Sequence, residues 1–425
     1  MNLYNEFEWR GLVYDATDGL KERFAQADIT AYVGFDPTAS SLHVGSLLPI
    51  MALVRLERAG HSPIAVVGGG TGLIGDPSGK TIERQLMTAE RVDANVRDIR
   101  TQLGQFLDFD SRNTRSKLVN NLDWLEGLGA VDLMRDTGKH FTVNYMLAKE
   151  SIKRRVESKD GISYTEFSYL LLQAYDFLQL YTRHGCTTQM GGSDQWGNIT
   201  AGIELIRRAL SPGTSRAYGL VLPLVTTAAG AKFGKTEDGA IWLDPDLTSP
   251  YEFYQFWLNT DDRDAIRYLK FFTLLSQEQI ADFEISTAKE PNRRHAQREL
   301  AQQVTRLVHG EVAVLEAESA ARVLFSGDIS GLSVEQLLRV FPSVPSSTMP
   351  FVAAGWPITE LLMLSRVTTS KGEATRLIRN GGIYVNGRRV TDEKLCLRPD
   401  DAVERQLFVV RKGKRDNFLI RIVGP

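Results

Sequence analysis

Residues 31–60 read AYVGFDPTASSLHVGSLLPIMALVRLERAG. AYVGF is strand-like. Pro37 ends it, because proline brings no N–H to a ladder and fixes its own φ. A helix-like run begins near His43, and Thr38, Ser40 and Ser41 fill the handover. The same pattern recurs downstream. PIAVVGG (63–69) precedes a glycine-rich loop and a helical run after Thr88, and KLVNN (117–121) precedes another helical stretch. GLVLPLVT (219–226) is strand-like again. Strands alternating with helices predict an α/β fold with a parallel sheet and right-handed crossovers. Ligands in such sheets sit at the carboxyl ends of the strands, at a switch point. The quoted stretch lies at such an end.

With 425 residues the chain has room for two or three domains. Hydrophobic and charged contents of 43% and 24% are globular values. The two cysteines, Cys186 and Cys396, make neither a disulfide framework nor a metal cluster, as in a reducing cytosol. The start, MNLYNEFEWRGL, lacks the basic-then-apolar order of a signal peptide, and no run of 18 apolar residues suggests a membrane span. A cytoplasmic protein without membrane contact is expected. Residues 366–421 hold fourteen Lys and Arg against seven Asp and Glu, a net +7, so the remainder carries −9 within a total of −2. A basic module on an acidic body points to a polyanion partner; a merely solvated basic surface is the plainer reading.

In VVGGGTGLIGDPSGKT (66–81), Gly70, Gly72 and Gly75 match the dinucleotide pattern. The match is weak: the loop follows the second strand and runs on into DPSGK. A phosphate loop would need glycine at Ile74. What remains is a loop whose backbone can approach a ligand closely, carrying Asp76 and followed by Lys80 and Arg84, or else a tight turn.

Ser163 and Glu166 have capping-box spacing and open a helix to about residue 181. Leu170, Leu171, Leu172, Ala174, Phe177 and Leu178 make it largely buried, yet Tyr169, Gln173 and Asp176 share one narrow stripe. A buried aspartate needs donors. Either a small polar ligand or an internal network supplies them.

MGGSDQWGN (190–198) sets two glycines before Asp194, which suits ribose binding or an ordinary helix start. AKFGKT (231–236) places Lys232 and Lys235 around a glycine in a stretch without an apolar face. That suits a departing polyphosphate, or plain surface. No H-E-x-x-H or paired cysteines suggest a bound metal.

Taken in order, GFDPTASSLHVGS, GDPSGK, LLQAYDF, GGSDQWGN and KFGKT resemble bacterial tyrosyl-tRNA synthetase, a class I aminoacyl-tRNA synthetase. The first stretch is similar to the HIGH signature and KFGKT to the KMSKS loop. SKGEATRLIRNGGIYVNGRRV (370–390) resembles an S4 RNA-binding domain. The resemblance implies a Rossmann-like catalytic domain over residues 1–230. The loop and a helical domain would span 231–325, a linker 326–356, and a small α+β S4-like domain 357–425. It implies a homodimer acting on L-tyrosine, ATP with Mg²⁺ and tRNA, with no tightly held cofactor.

By the same resemblance, tyrosine falls to Tyr32, Asp76, Tyr169, Gln173, Asp176 and Gln195. Tyr32 and Asp176 would hold the phenol, and Asp76, Tyr169 and Gln173 the ammonium. ATP falls to Gly34, Asp36, Thr38, His43, Gly45, Ser46, Gly192, Asp194, Lys235 and Thr236. Thr38, His43, Lys80, Arg84, Lys232 and Lys235 would serve the reacting phosphates. Gly45 would leave room for adenine. Ser46 stands where the signature ends in histidine. Other readings are a tryptophan-activating sister enzyme, an RNA-binding relative without catalysis, and, from the glycine pattern, a nicotinamide enzyme.

Overall fold

Asn2 accepts the Tyr4 N–H at 2.7 Å and Gly11, at φ 73°, closes helix α1 (Leu3–Arg10). The structure, a computed structural model, describes residues 2–424 apart from 27, 79–85, 112–113, 160, 211–215, 231–232, 237–238, 327–328, 330–331, 342–343 and 414–415. The chain divides into two units, Met1–Val308 and His309–Pro425.

The first unit is built on β1 (Asp15–Ala16), β2 (Thr30–Phe35), β3 (Ser62–Val67), β4 (Lys117–Asn120), β5 (Thr188–Gly192) and β6 (Tyr218–Leu222). They form one sheet in the order β1-β6-β5-β2-β3-β4, in which only β1 runs antiparallel. The chain winds outward from β2 to β4, then returns to lay β5 on the other side of β2. That reversal is the expected switch point. The central strands are short apolar runs, as a sheet covered on both faces requires.

The helix after β2 begins later than its sequence suggests. His43 stays extended at φ −118°, ψ 170°, and its Nδ1 accepts the Gly45 N–H at 2.9 Å. A single 3-10 turn, Val44–Ser46, then leads into α2 (Leu47–Arg58). Helix α3 (Tyr164–His184) starts at Ser163, which accepts the Glu166 N–H, and stops at left-handed Gly185. The Glu166 carboxylate pairs with buried Arg155 at 2.6 Å. Next come α4 (Trp196–Ala209) and the hairpin β7 (Lys235–Thr236) and β8 (Gly239–Ala240). Helices α5 (Pro250–Leu258), α6 (Asp262–Phe272) and α7 (His295–Ser326) realise the helical run. Gly310, at φ 83° and ψ 174°, interrupts α7 close to the boundary between the units.

The second unit holds β9 (Ser346–Pro350), β10 (Trp356–Pro357), β11 (Ile383–Val385), β12 (Arg388–Arg389), β13 (Cys396–Leu397), β14 (Leu407–Lys412) and β15 (Asp416–Val423). A five-stranded sheet runs β12-β11-β14-β15-β9, with β9 parallel to β15. The stretch 326–356, whose sequence reads as a linker around a short helix, holds such a helix, Val334–Val340, but also an edge strand that this reading lacks. Serine and proline there mask pairing that only β15 supplies. Ile358, Leu361, Ile378, Phe408, Val410 and Ile420 lie in the core of this unit.

Two arginines lock α6 in place. Arg10 donates to the carbonyls of Lys270, Thr273 and Leu275 at 2.8–3.2 Å, and Arg55 to those of Phe271 and Thr273 at 2.9 and 2.8 Å. These carbonyls end a helix and otherwise lack partners along it. Burial, and then the Arg10 charge, push the Arg55 guanidinium down to about 9. Arg55→Met is expected to cost about 2–4 kcal/mol in urea unfolding, since it strips charged donors from buried carbonyls. An unchanged unfolding midpoint would show that the carbonyls find other partners.

Candidate active site

A cavity of about 220 Å³ opens at the carboxyl ends of β2 and β5. Strand β2 and its end supply Tyr32, Gly34 and Asp36, and the following glycine loop supplies Asp76. Helix α3 supplies Tyr169, Gln173 and Asp176, and the end of β5 supplies Gly192, Asp194 and Gln195. A larger cavity, about 650 Å³, lies between the β7–β8 hairpin, α5 and α6. Among the described residues none of those expected in the site lines it, so size does not identify the site.

Asp176 sits at the buried end of the smaller cavity, 4% exposed. Its Oδ1 accepts from Trp124 Nε1 at 2.7 Å and its Oδ2 from Asn121 Nδ2 at 2.9 Å. Protein groups therefore supply donors that the sequence left open to a ligand. Neither Asn121 nor Trp124 is singled out by sequence; the cue is only that NNLDW follows a strand at the sheet's edge. Burial pushes the Asp176 carboxyl up to about 7, against the pull of those two hydrogen bonds. The Tyr32 hydroxyl is different: it is buried and has no hydrogen-bond partner among the described residues. Burial and then the Asp176 charge raise its pKa well above the usual phenol value.

A second polar group surrounds Gln195. Its Nε2 donates to Asp76 Oδ2 at 2.7 Å, and its Oε1 accepts from Gln173 Nε2 at 3.2 Å. Asn198 donates to Gln173 Oε1 at 2.8 Å and Ser78 N–H to Asp76 Oδ1 at 2.9 Å. Tyr169 donates to Asp36 Oδ2 at 2.9 Å, and Thr71 to Asp36 Oδ1 at 3.0 Å. Asn121 links this chain to Asp176 through Thr71 at 2.9 Å. The glycine loop serves these side chains. A Cβ at Gly68 would lie 2.4 Å from both Asp36 Oδ1 and Thr71 Oγ1. The close approach expected toward a ligand is, at this glycine, toward protein.

Thr38 is exposed, and His43, Gly45 and Ser46 stand outside the lining of the smaller cavity. Because Nδ1 accepts from Gly45, a neutral His43 ring carries its proton on Nε2 and is a donor there. A Cβ at Gly45 would lie 2.6 Å from the imidazole, so its missing side chain makes room for the histidine ring. Lys80, Arg84 and Lys232 fall outside the described residues, and of Lys235 and Thr236 only the backbone is described. KFGKT is not featureless surface. Phe233 is 5% exposed and packs within 5.0–5.6 Å of the rings of Phe256, Trp257, Tyr268 and Phe272. Among the described residues no group of three His, Cys, Asp or Glu could hold a metal.

The raised Asp176 value has a consequence for stability. A carboxyl with a raised folded pKa contributes stability that is full below its ordinary value of about 4 and is lost as pH rises through about 7. Asp176→Asn removes that dependence. The difference in thermal midpoint, parent minus variant, is expected to shrink from pH 4.5 to pH 8; a difference constant with pH would refute the burial effect.

The model of the class I tRNA synthetases (W and Y) matches residues 25–326, and that of the tyrosine--tRNA ligase SYY-like C-terminal domain matches 336–420. The tyrosine--tRNA ligase of Roseiflexus castenholzii is 52% identical over 424 residues, 99% of each chain. That of Geobacillus stearothermophilus is 52% identical over 99% of this chain and 100% of its own. A crystal structure of a C-terminally truncated mitochondrial tyrosyl-tRNA synthetase from Aspergillus nidulans is 32% identical. It superposes with a TM-score of 0.69 over 76% of this chain and 94% of that one. Full-length identity of this order sets aside the tryptophan, non-catalytic and nicotinamide readings. The chain belongs to the class I aminoacyl-tRNA synthetases, in the family of the tyrosine--tRNA ligases.

Proposed function

We propose that the cavity between β2 and β5 is the tyrosine pocket of this ligase. The unpartnered Tyr32 hydroxyl, buried beside Asp176, carries the reading. A phenol entering there can donate to the carboxylate and accept from Tyr32. Phenylalanine would leave both without that partner, a loss that discriminates strongly. The substrate ammonium would lie among Asp76, Tyr169 and Gln173, with Gln195 fixing the Asp76 carboxylate.

Tyrosine--tRNA ligases activate tyrosine with ATP and then load tRNA. The tyrosine carboxylate is ionised at neutral pH, so its oxygen attacks the α-phosphorus without a base and pyrophosphate leaves. Positioning and charge stabilisation then carry the rate. His43 Nε2 and Thr38 would donate to the phosphates, with Lys80, Arg84, Lys232 and Lys235 as their counter-charges. Gly34, Asp36, Gly192 and Asp194 would bound the nucleoside, and Ser46 and Thr236 would touch it from the signature loops. Mg²⁺ would arrive on ATP as part of the substrate. A ribose hydroxyl at the tRNA 3′ end then displaces AMP.

The basic C-terminal module is proposed to hold the tRNA, through exposed Arg366, Arg376, Arg388 and Arg398. Exposed apolar residues between 131 and 164 (Val131, Met134, Val143, Leu147, Val156 and Tyr164) support a homodimer contact. Among the described residues no helix is long and apolar enough to cross a membrane. A cytoplasmic site of action, with ATP and tRNA at hand, is the reading we adopt.

Amino-acid-dependent ATP–pyrophosphate exchange tests the pocket. Tyrosine alone of the twenty should support it. Asp176→Ala should lower kcat/KM for tyrosine by roughly 10²–10³-fold, and Tyr32→Phe by about 2–12-fold with little change for ATP. Normal exchange in Asp176→Ala would refute the assignment. A chain ending at Ser326 should retain exchange yet charge tRNA at least about tenfold more slowly; equal charging would remove the module's role.

A further inference from the structure

His43 is held on two sides. Gly45 fixes its Nδ1, and the indole of Trp242 meets the imidazole edge-on, with ring centroids 6.3 Å apart at 62°. Trp242 lies on a segment that pairs with the histidine: His43 and Trp242 form a bridge, Val44 N–H donates to Ile241 O at 2.9 Å, and Leu243 N–H donates to Leu42 O at 2.9 Å. The same segment continues β8 and receives the lysine loop, since Ile241 N–H donates to Gly234 O at 3.1 Å. Gly234 in turn sits against the signature turn. It has φ 80°, and a Cβ there would lie 2.8 Å from Val44 Cγ2. Thr248 Oγ1 accepts the Trp242 N–H at 3.0 Å and fixes the segment from the other end.

From this geometry we infer that Trp242 is a positioning residue for adenylate formation. Its indole edge sets the His43 ring, and the segment that bears it ties that setting to the lysine hairpin. A ring fixed at Nδ1 but loose in its plane would spread Nε2 over many positions. An aromatic edge removes that freedom before ATP arrives. The shared segment also means that Lys235, one residue after Gly234, cannot shift as a unit with its hairpin without moving the backbone beside His43. The inference rests on the reading of His43 as a phosphate donor.

A double-mutant cycle in the full-length enzyme tests it, using pyrophosphate exchange for ATP parameters and equilibrium binding for tyrosine. Trp242→Leu is expected to lower kcat/KM for ATP about five- to tenfold while the tyrosine Kd stays within about twofold. Trp242→Phe, which keeps an aromatic edge, should recover most of the loss. In a His43→Asn background the leucine change should cost less than about twofold, because residues acting as one unit are not additive. Effects that multiply in the double variant would overturn the coupling, and so would tyrosine affinity falling in parallel. If His43→Asn itself leaves ATP kinetics unchanged, the histidine's role and the proposal fall together, which a multiplicative result with an impaired His43→Asn distinguishes. Should the leucine variant not fold, Trp242→Phe carries the cycle. A loss of about two- to threefold with His43 present, and none without it, is then expected, and equal losses in both backgrounds overturn it.

Discussion

A carboxylate taken out of water must be met by donors, and the cavity between β2 and β5 is arranged around meeting that need at Asp176. Trp124 and Asn121 are delivered by the turn after β4, and Thr71 passes the network on to Asp36 and Tyr169. Strand order puts these elements together: β4 lies at the sheet's edge, two strands from β2. The carboxylate is thereby fixed by protein groups, and the nearby Tyr32 hydroxyl has no hydrogen-bond partner among the described residues. On the reading proposed above, such an arrangement is preorganised for one chemical group.

The proposed phosphate side follows a different plan. Its residues come from two signature segments far apart in sequence, and backbone pairing brings them together. Residues 42–44 and 241–243 exchange hydrogen bonds, and Phe233 is sunk among four aromatic rings. The N-terminal arm of the loop is also pinned, with Ala228 N–H donating to Asp264 and the Tyr268 hydroxyl to Thr226 O. Because α6 is itself held by Arg10 and Arg55, a continuous path of packed groups joins the first helix of the chain to the lysine loop.

The sequence was most informative where period and chemistry coincide. The Tyr169–Gln173–Asp176 stripe stands out because polar groups recur at helical spacing in an apolar run, and all three line one cavity. The alternation of strands and helices gave the parallel sheet for the same reason. Partners distant in sequence left no such mark. Asn121 and Trp124 are ordinary residues beside a short strand until the fold brings Asp176 to them. The glycine-rich loop read as a backbone able to approach a ligand, yet at Gly68 the space is taken by Asp36 and Thr71. Phe233 lies between two lysines, so its apolar role shows only once α5 and α6 surround it. The strand at 346–350 was hidden because its pairing partner lies some seventy residues further on.

That last strand has a consequence for how the protein is made. In the second unit β15 lies between β14 and β9, and Ser346 pairs with Leu419 across a loop of some seventy residues. During synthesis the edge strand therefore waits, unpaired, while some seventy further residues emerge, and long-range parallel pairing is slow to form. Until β15 arrives, β9 and β14 have no shared neighbour, so this sheet can close only after both of its distant halves have been made.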